Sequence, residues 1–187
     1  MNPEFPIKSG AYLSMARNAA AKRYSALGSK LLASIGLAEP TTIRRSLTGF
    51  ASRRSDGTIR LACPWPTTTR RRLYVCAHEV AHIVLHYTPS GKRIKKPRHM
   101  KEHEAELWAH RWLRDQGIAV PRQETERAKN YVASKIEAAI RNGAMISSIA
   151  RPAAAWAGVD LHDTFATRIT RLRRGAALSI WQTRRRS

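Results

Sequence analysis

The sequence predicts a mostly helical α+β fold, on three observations. Apolar residues recur at helical spacing along most of the chain. One stretch, residues 48–63, reads instead as two short β segments around an Asp-Gly turn. Hydrophobic residues make up 43% of the 187, enough for a real core. The length suits one domain with appendages: a domain over residues 1–121, a helical extension packed on it over 122–158, and a basic, partly disordered tail over 159–187. There is no internal repeat.

After a Pro-containing lead, residues 10–35 form the first predicted helix. Tyr12, Leu13, Ala16, Ala20, Tyr24, Leu27, Leu31, Leu32 and Ile35 supply its apolar spacing and Gly36 its C-cap. Lys22, Arg23 and Lys30 line the other side, which reads as a solvated basic face before it reads as a nucleic-acid one. Pro40-Thr41-Thr42 opens a short helix or turn through about Leu47. Residues 48–52 and 58–63 flank Ser55-Asp56-Gly57 and predict a hairpin, with Asp56-Gly57 supplying the positive dihedrals of the turn. Pro64-Trp65-Pro66 ends the strand, and one of Thr67, Thr68 and Thr69 caps the next helix.

That helix, residues 69–87, is the centre of the chain. Leu73, Cys76, Ala77, Val80, Ile83 and Val84 make its apolar face. Opposite them stands His78-Glu79-Val80-Ala81-His82. At roughly 100° per residue the two imidazoles fall about 40° apart and reach the same point in space. Glu79 is turned about 100° from His78, beside that point without reaching it, where a carboxylate can take a proton from an attacking water. Five-residue patterns of this kind arise by chance, but rarely inside a strongly helical apolar segment. The spacing is that of a Zn2+ hydrolase.

Catalytic zinc normally has three protein ligands, so a third must come from elsewhere. Pro89-Ser90-Gly91 stops the helix, and the basic segment 91–101 reads as a flexible surface loop in preference to a contact for an acidic partner. The helix 101–117 follows. Ala105, Trp108, Ala109, Trp112 and Leu113 form its core-facing arc. Glu102 lies within that arc, Glu106 sits at its edge, and Glu104, His103 and His110 project off it. A carboxylate among core-facing residues is costly unless a cation compensates it. Glu102 is therefore the expected third ligand and Glu106 the reserve, with a solvated face as the competing reading for Glu106.

These two motifs carry a resemblance. His78-Glu79-Val80-Ala81-His82-Ile83-Val84-Leu85-His86, then Glu102-His103-Glu104-Ala105-Glu106-Leu107-Trp108-Ala109, resemble the ImmA/IrrE family of zinc metallopeptidases over roughly residues 10–120. In that family a His-Glu-x-x-His helix is followed by Glu-x-x-Ala-Asn-x-Phe-Ala, whose glutamate completes the site. Here Glu106 stands where asparagine is usual, and the family's Leu-Leu-x-Pro ending becomes Trp112-Leu113-Arg114, with Pro121 further on. The resemblance implies a zincin-like minimal metallopeptidase of phage or mobile-element type, acting on a DNA-bound repressor.

Further on, residues 122–142 predict a helix through Ala128, Tyr131, Val132, Ile136, Ala139 and Ile140, and residues 145–157 a shorter one with Ile146, Ile149 and Trp156, started or interrupted at Pro152. From Asp163 to Trp181 the helical spacing is weak, and Arg184-Arg185-Arg186 ends a strongly basic tail.

Charge bounds the setting. The formal net charge is +21, with 18 Lys/Arg against 4 acids in residues 1–100 and 16 against 9 beyond. Such a balance suits DNA contact through a basic surface, although a solubility device or an arginine bias explains it as well. Cys63 and Cys76 cannot build a zinc ribbon, and no disulfide framework exists. No signal peptide or membrane span is legible, so a cytoplasmic protein is expected.

The expected function is thus hydrolysis of a peptide bond in a protein partner, with Glu79 as general base and then general acid. His86, His103 and Tyr87 are candidates for the oxyanion-stabilising or secondary position. One rival is a basic nucleic-acid-associated or antirestriction-type binding protein with a structural or vestigial zinc site, which has no use for Glu79. Another is a DNA–protein crosslink protease similar to the SprT class, whose cysteine ribbon this chain lacks.

Overall fold

A computed structural model describes residues 9–143 and 150–161. Five helices and a three-stranded sheet follow in the order α1 (Ser9–Ala33), β1 (Thr42–Arg44), β2 (Phe50–Arg53), β3 (Ile59–Pro64), α2 (Arg70–His86), α3 (Arg98–Asp115), α4 (Arg122–Arg141) and α5 (Arg151–Ala157). The fold is α+β and mostly helical, as expected.

Only the C-terminal half of α1 is buried. Leu31 and Leu32 are core residues, whereas Leu13 and Met15 are exposed, so the early part of the predicted apolar stripe covers nothing among the described residues. Gly28 lets this helix approach Thr67: a Cβ there would collide with the Thr67 hydroxyl, which donates to the Tyr24 carbonyl at 2.8 Å. The helix ends where Leu37 N–H returns to the Leu32 carbonyl at 3.0 Å around Gly36, whose φ is 78°.

The hairpin forms as predicted. β2 and β3 pair antiparallel, from Phe50 opposite Ala62 to Arg53 opposite Ile59, and Asp56 accepts from Thr58 N–H at 2.8 Å inside the turn. The segment expected as a short helix or turn from Pro40 contains β1, running parallel to β3 with Thr42 opposite Ala62. Two causes act here. The β-branched run Thr41-Thr42-Ile43 is stiff at χ1 and favours extended backbone. The Thr41 hydroxyl also bonds both the carbonyl and the N–H of Leu61, at 2.9 and 2.8 Å. β3 becomes the central strand, in the order β1-β3-β2, and is buried at every position except Arg60.

Thr69 caps α2, accepting from Arg72 N–H. Leu73, Cys76, Ala77, Val80 and Ile83 are buried as expected, but Val84 is 48% exposed, because the apolar stripe runs on past the residues that cover it. Cys63 and Cys76 are free, buried thiols. α3 packs along α2 and starts at Arg98, just after Pro97, earlier than predicted. The connecting segment is pinned rather than loose. Tyr87 and Arg93 form a β-bridge, Ile94 N–H donates to the His86 carbonyl at 2.9 Å, and Gly91 sits so close to the Arg54 carbonyl that a Cβ would collide.

The chain divides into two compact units between Glu126 and Arg127, inside α4. The first turn of α4 belongs to the first unit because buried Glu124 pairs with Arg71 at 2.6 Å. In the second unit Val132 and Ile136 of α4 pack with Ala153 and Ala154 of α5, flanked by Trp156. The predicted contributions of Ile146 and Ile149, and of the tail from Asp163 to Arg186, lie outside the described residues. No helix among the described residues is long and apolar enough to cross a membrane.

Candidate metal centre

One turn of α2 separates His78 from His82, and their Nε2 atoms lie 3.1 Å apart, with the rings edge to face at 87°. Glu102, in the second turn of α3, brings Oε2 to 3.4 Å from each of these nitrogens. The three donors form a group that could hold a metal ion. Their spacing is itself a test of fit: a tetrahedral ion with N and O donors at about 2.0–2.2 Å requires them about 3.3–3.6 Å apart, which the two nitrogen–oxygen distances of 3.4 Å meet and the 3.1 Å between the nitrogens falls just short of. Two imidazoles and one carboxylate are also the donor chemistry of such sites. The other oxygen of Glu102 lies 3.5 Å from Arg98 Nε, one turn earlier on α3.

The electrostatics of the cluster call for a cation. Burial works against charge on His78, but its contacts with Glu102 and Glu106 outweigh this and raise its pKa to about 10. Burial lowers the pKa of His82. Burial also opposes ionisation of Glu102, yet the bonds from His78 and His82 hold its carboxyl well below the usual range. A proton on His78 or a metal ion between the three donors answers the same demand.

Glu106 does not share the donor point. Its Oε1 lies 2.9 Å from Nδ1 of His78, on the far side of the ring, and its Oε2 meets the Tyr74 hydroxyl and lies 3.7 Å from His110 Nε2. The Nδ1 contact is close but off-axis, so Nδ1 has no aligned hydrogen-bond partner. Glu106 is buried, contrary to the solvated-face reading, and it stands behind a donor rather than among the donors. His110, expected to project away, is buried beside it. Sequence reasoning missed Tyr74; the signal was its position one turn before His78 on the same helix.

Glu79 lies beside the three donors, on α2, and is buried. Burial raises its pKa, His78 draws it down, and Glu102 and Glu106 raise it further, to about 7. Gly49, immediately before β2, lies against it: a Cβ on Gly49 would overlap the Glu79 carboxyl. That role too was missed, since nothing local in the sequence ties residue 49 to residue 79.

Of the candidates for an oxyanion or secondary position, His86 lies beside His82, with ring centroids 5.3 Å apart. His86 is buried, and its Nε2–H donates to the Lys101 carbonyl at 3.0 Å, tying the end of α2 to the start of α3. Its Nδ1 lies 3.6 Å from Glu104. Nε2 is therefore engaged in the tie between the helices, while Nδ1 has no hydrogen-bond partner. His103 is buried and outside the group of three donors, and Tyr87 packs against the core while its backbone bridges Arg93.

No family model, no curated protein and no solved structure matches this chain.

Proposed function

We propose that the protein is a zinc-dependent peptidase. The carrying observation is the convergence of His78, His82 and Glu102, their donor atoms 3.1–3.4 Å apart, with the buried Glu79 carboxylate beside them. Zinc, when held there, supplies a Lewis acid for water and for a carbonyl oxygen. Glu79 takes the proton of the attacking water and returns it to the leaving amine, a task suited to a carboxylate whose pKa burial has raised toward 7. Glu106 stands behind His78 and raises its basicity, with the Tyr74 hydroxyl donating to its second oxygen and His110 3.7 Å away. Extended peptide is the substrate form that suits the sheet. β2 is an edge strand, and Gly49 at its start lies against Glu79, so a peptide added along that edge passes the base.

The ImmA/IrrE resemblance supports this reading and adds a DNA-bound repressor as the substrate class. The reading in which zinc is only structural differs in one testable respect, the need for Glu79. Metal analysis of the purified protein is expected to return one zinc per chain. Glu79→Gln is expected to keep that zinc and to lose about 10²–10⁴-fold in peptide hydrolysis. Full activity in the variant would leave a structural metal site.

A further inference from the structure

Arg93, Lys95 and Lys96 stand on the segment joining α2 to α3, and Lys101 joins them from the first turn of α3. Together they line an open basin of about 620 Å³. The basin rests on fixed backbone. The Tyr87–Arg93 bridge, the Ile94-to-His86 hydrogen bond and the packing of Gly91 on the Arg54 carbonyl hold the segment against α2 and the hairpin turn. The cations are thus kept near one another instead of being free to spread apart.

Lys101 is the telling residue. The residue as a whole is only 6% exposed, its ammonium opens onto the basin, and among the described residues no carboxylate lies within ion-pair distance of it. The acid nearest in charge, Glu104, gives both oxygens to Lys96, at 2.8 and 2.9 Å. Glu104 is thus taken up by Lys96, one of the four, and among the described residues no ion pair reaches the other three. Holding like charges around one basin is costly unless an anion compensates them, and Arg93 and Lys96 both act on the Lys101 ammonium. We propose that this basin is an anion site that takes a backbone phosphate of a nucleic acid. Lysine ammoniums act as point charges that suit phosphate oxygens, and the Arg93 guanidinium adds a fork that fits them. The open side leaves room for a continuous strand. A net charge of +21 draws a polyanion toward the surface and favours it over a single acidic side chain. The site is distinct from the three metal donors and stands whether or not they hold zinc.

The test is binding of a fluorescein-labelled DNA duplex to the full chain by fluorescence anisotropy across a salt series. Each phosphate contact contributes about 0.9 to the slope of log affinity against log salt. Lys101→Gln and Arg93→Gln are each expected to weaken binding and to flatten that slope by about 0.9, while Lys101→Arg restores it. Lys30→Gln, at an exposed position of α1, is the charge-matched control and is expected to keep the wild-type slope. Arg93 is exposed, so its variant reports even where Lys101→Gln fails to fold. Wild-type slopes in both Arg93→Gln and Lys101→Gln would overturn the proposal. So would loss, in those variants, of binding to inorganic phosphate or to a poly-glutamate peptide with the DNA response unchanged, since the occupant would then be a free anion or an acidic protein.

Discussion

Glu106 shows how one buried carboxylate gains its meaning from the atom it meets. Facing the donor point it would be a ligand; lying 2.9 Å from Nδ1 of His78 it instead raises that ring's basicity. Carboxylates in this position typically change metal affinity by about 10–100-fold. Glu106→Gln, which keeps the shape and removes the charge, is expected to weaken zinc binding by that factor in competition with a chromophoric chelator. Equal affinity would mean that Glu106 serves packing alone. A second expectation concerns protons. In the metal-free protein His78 holds a proton up to a pKa of about 10, and a metal ion must displace it. The sign follows: zinc affinity is expected to climb by about tenfold per pH unit above the ordinary histidine range and to level off near pH 10. Calorimetry in buffers of different ionisation enthalpy checks this at neutral pH, where close to one proton should be released per zinc. No proton release would place the neutral imidazole in the metal-free state.

Between elements, the contacts that position the site are few and tight. His86 ties α2 to α3 through the Lys101 carbonyl, one residue before Glu102, so the same bond that joins the helices sets the height of the third donor. On the other side of the first unit, α1 meets the Thr67 turn at Gly28. In an isolated helix Gly→Ala stabilises by about 1 kcal/mol. At residue 28 the added methyl must displace a fully buried threonine that is bonded to Tyr24, and overpacking of this kind costs about 1–3 kcal/mol. Gly28→Ala is therefore expected to lower the urea midpoint despite its better helix propensity. A raised midpoint would show that α1 can slide without loss.

Taken whole, the chain combines a three-donor group that could hold a metal ion, between two packed helices, with an extreme positive charge. Zinc that binds the folded state and not the unfolded one stabilises by about 2.7 kcal/mol at a hundred times its dissociation constant. Chelator is accordingly expected to lower the thermal midpoint of the wild-type protein by several degrees. His78→Ala, lacking a donor, should melt at the same temperature with and without chelator. An equal shift in both proteins would place the chelator's effect elsewhere.

Much of this was legible along the chain, and the reason is periodicity. His78 and His82 meet because helical spacing is local, and Glu102 was ranked above Glu104 because the apolar arc of α3 is local too. The hairpin was legible for the same reason, through Asp56-Gly57. What local pattern cannot carry is the identity of a partner distant in sequence. Thr41 bonding Leu61 makes β1 of a segment expected as a short helix or turn, Gly49 comes to lie on Glu79, and Glu106 meets the back of His78 rather than its front. Each of these depends on how two elements are placed against each other, which is decided by core packing over the whole first unit. Residue spacing determined which groups can do chemistry; the packing of α2 against α3 and the sheet decided which of them meet, and through which atoms.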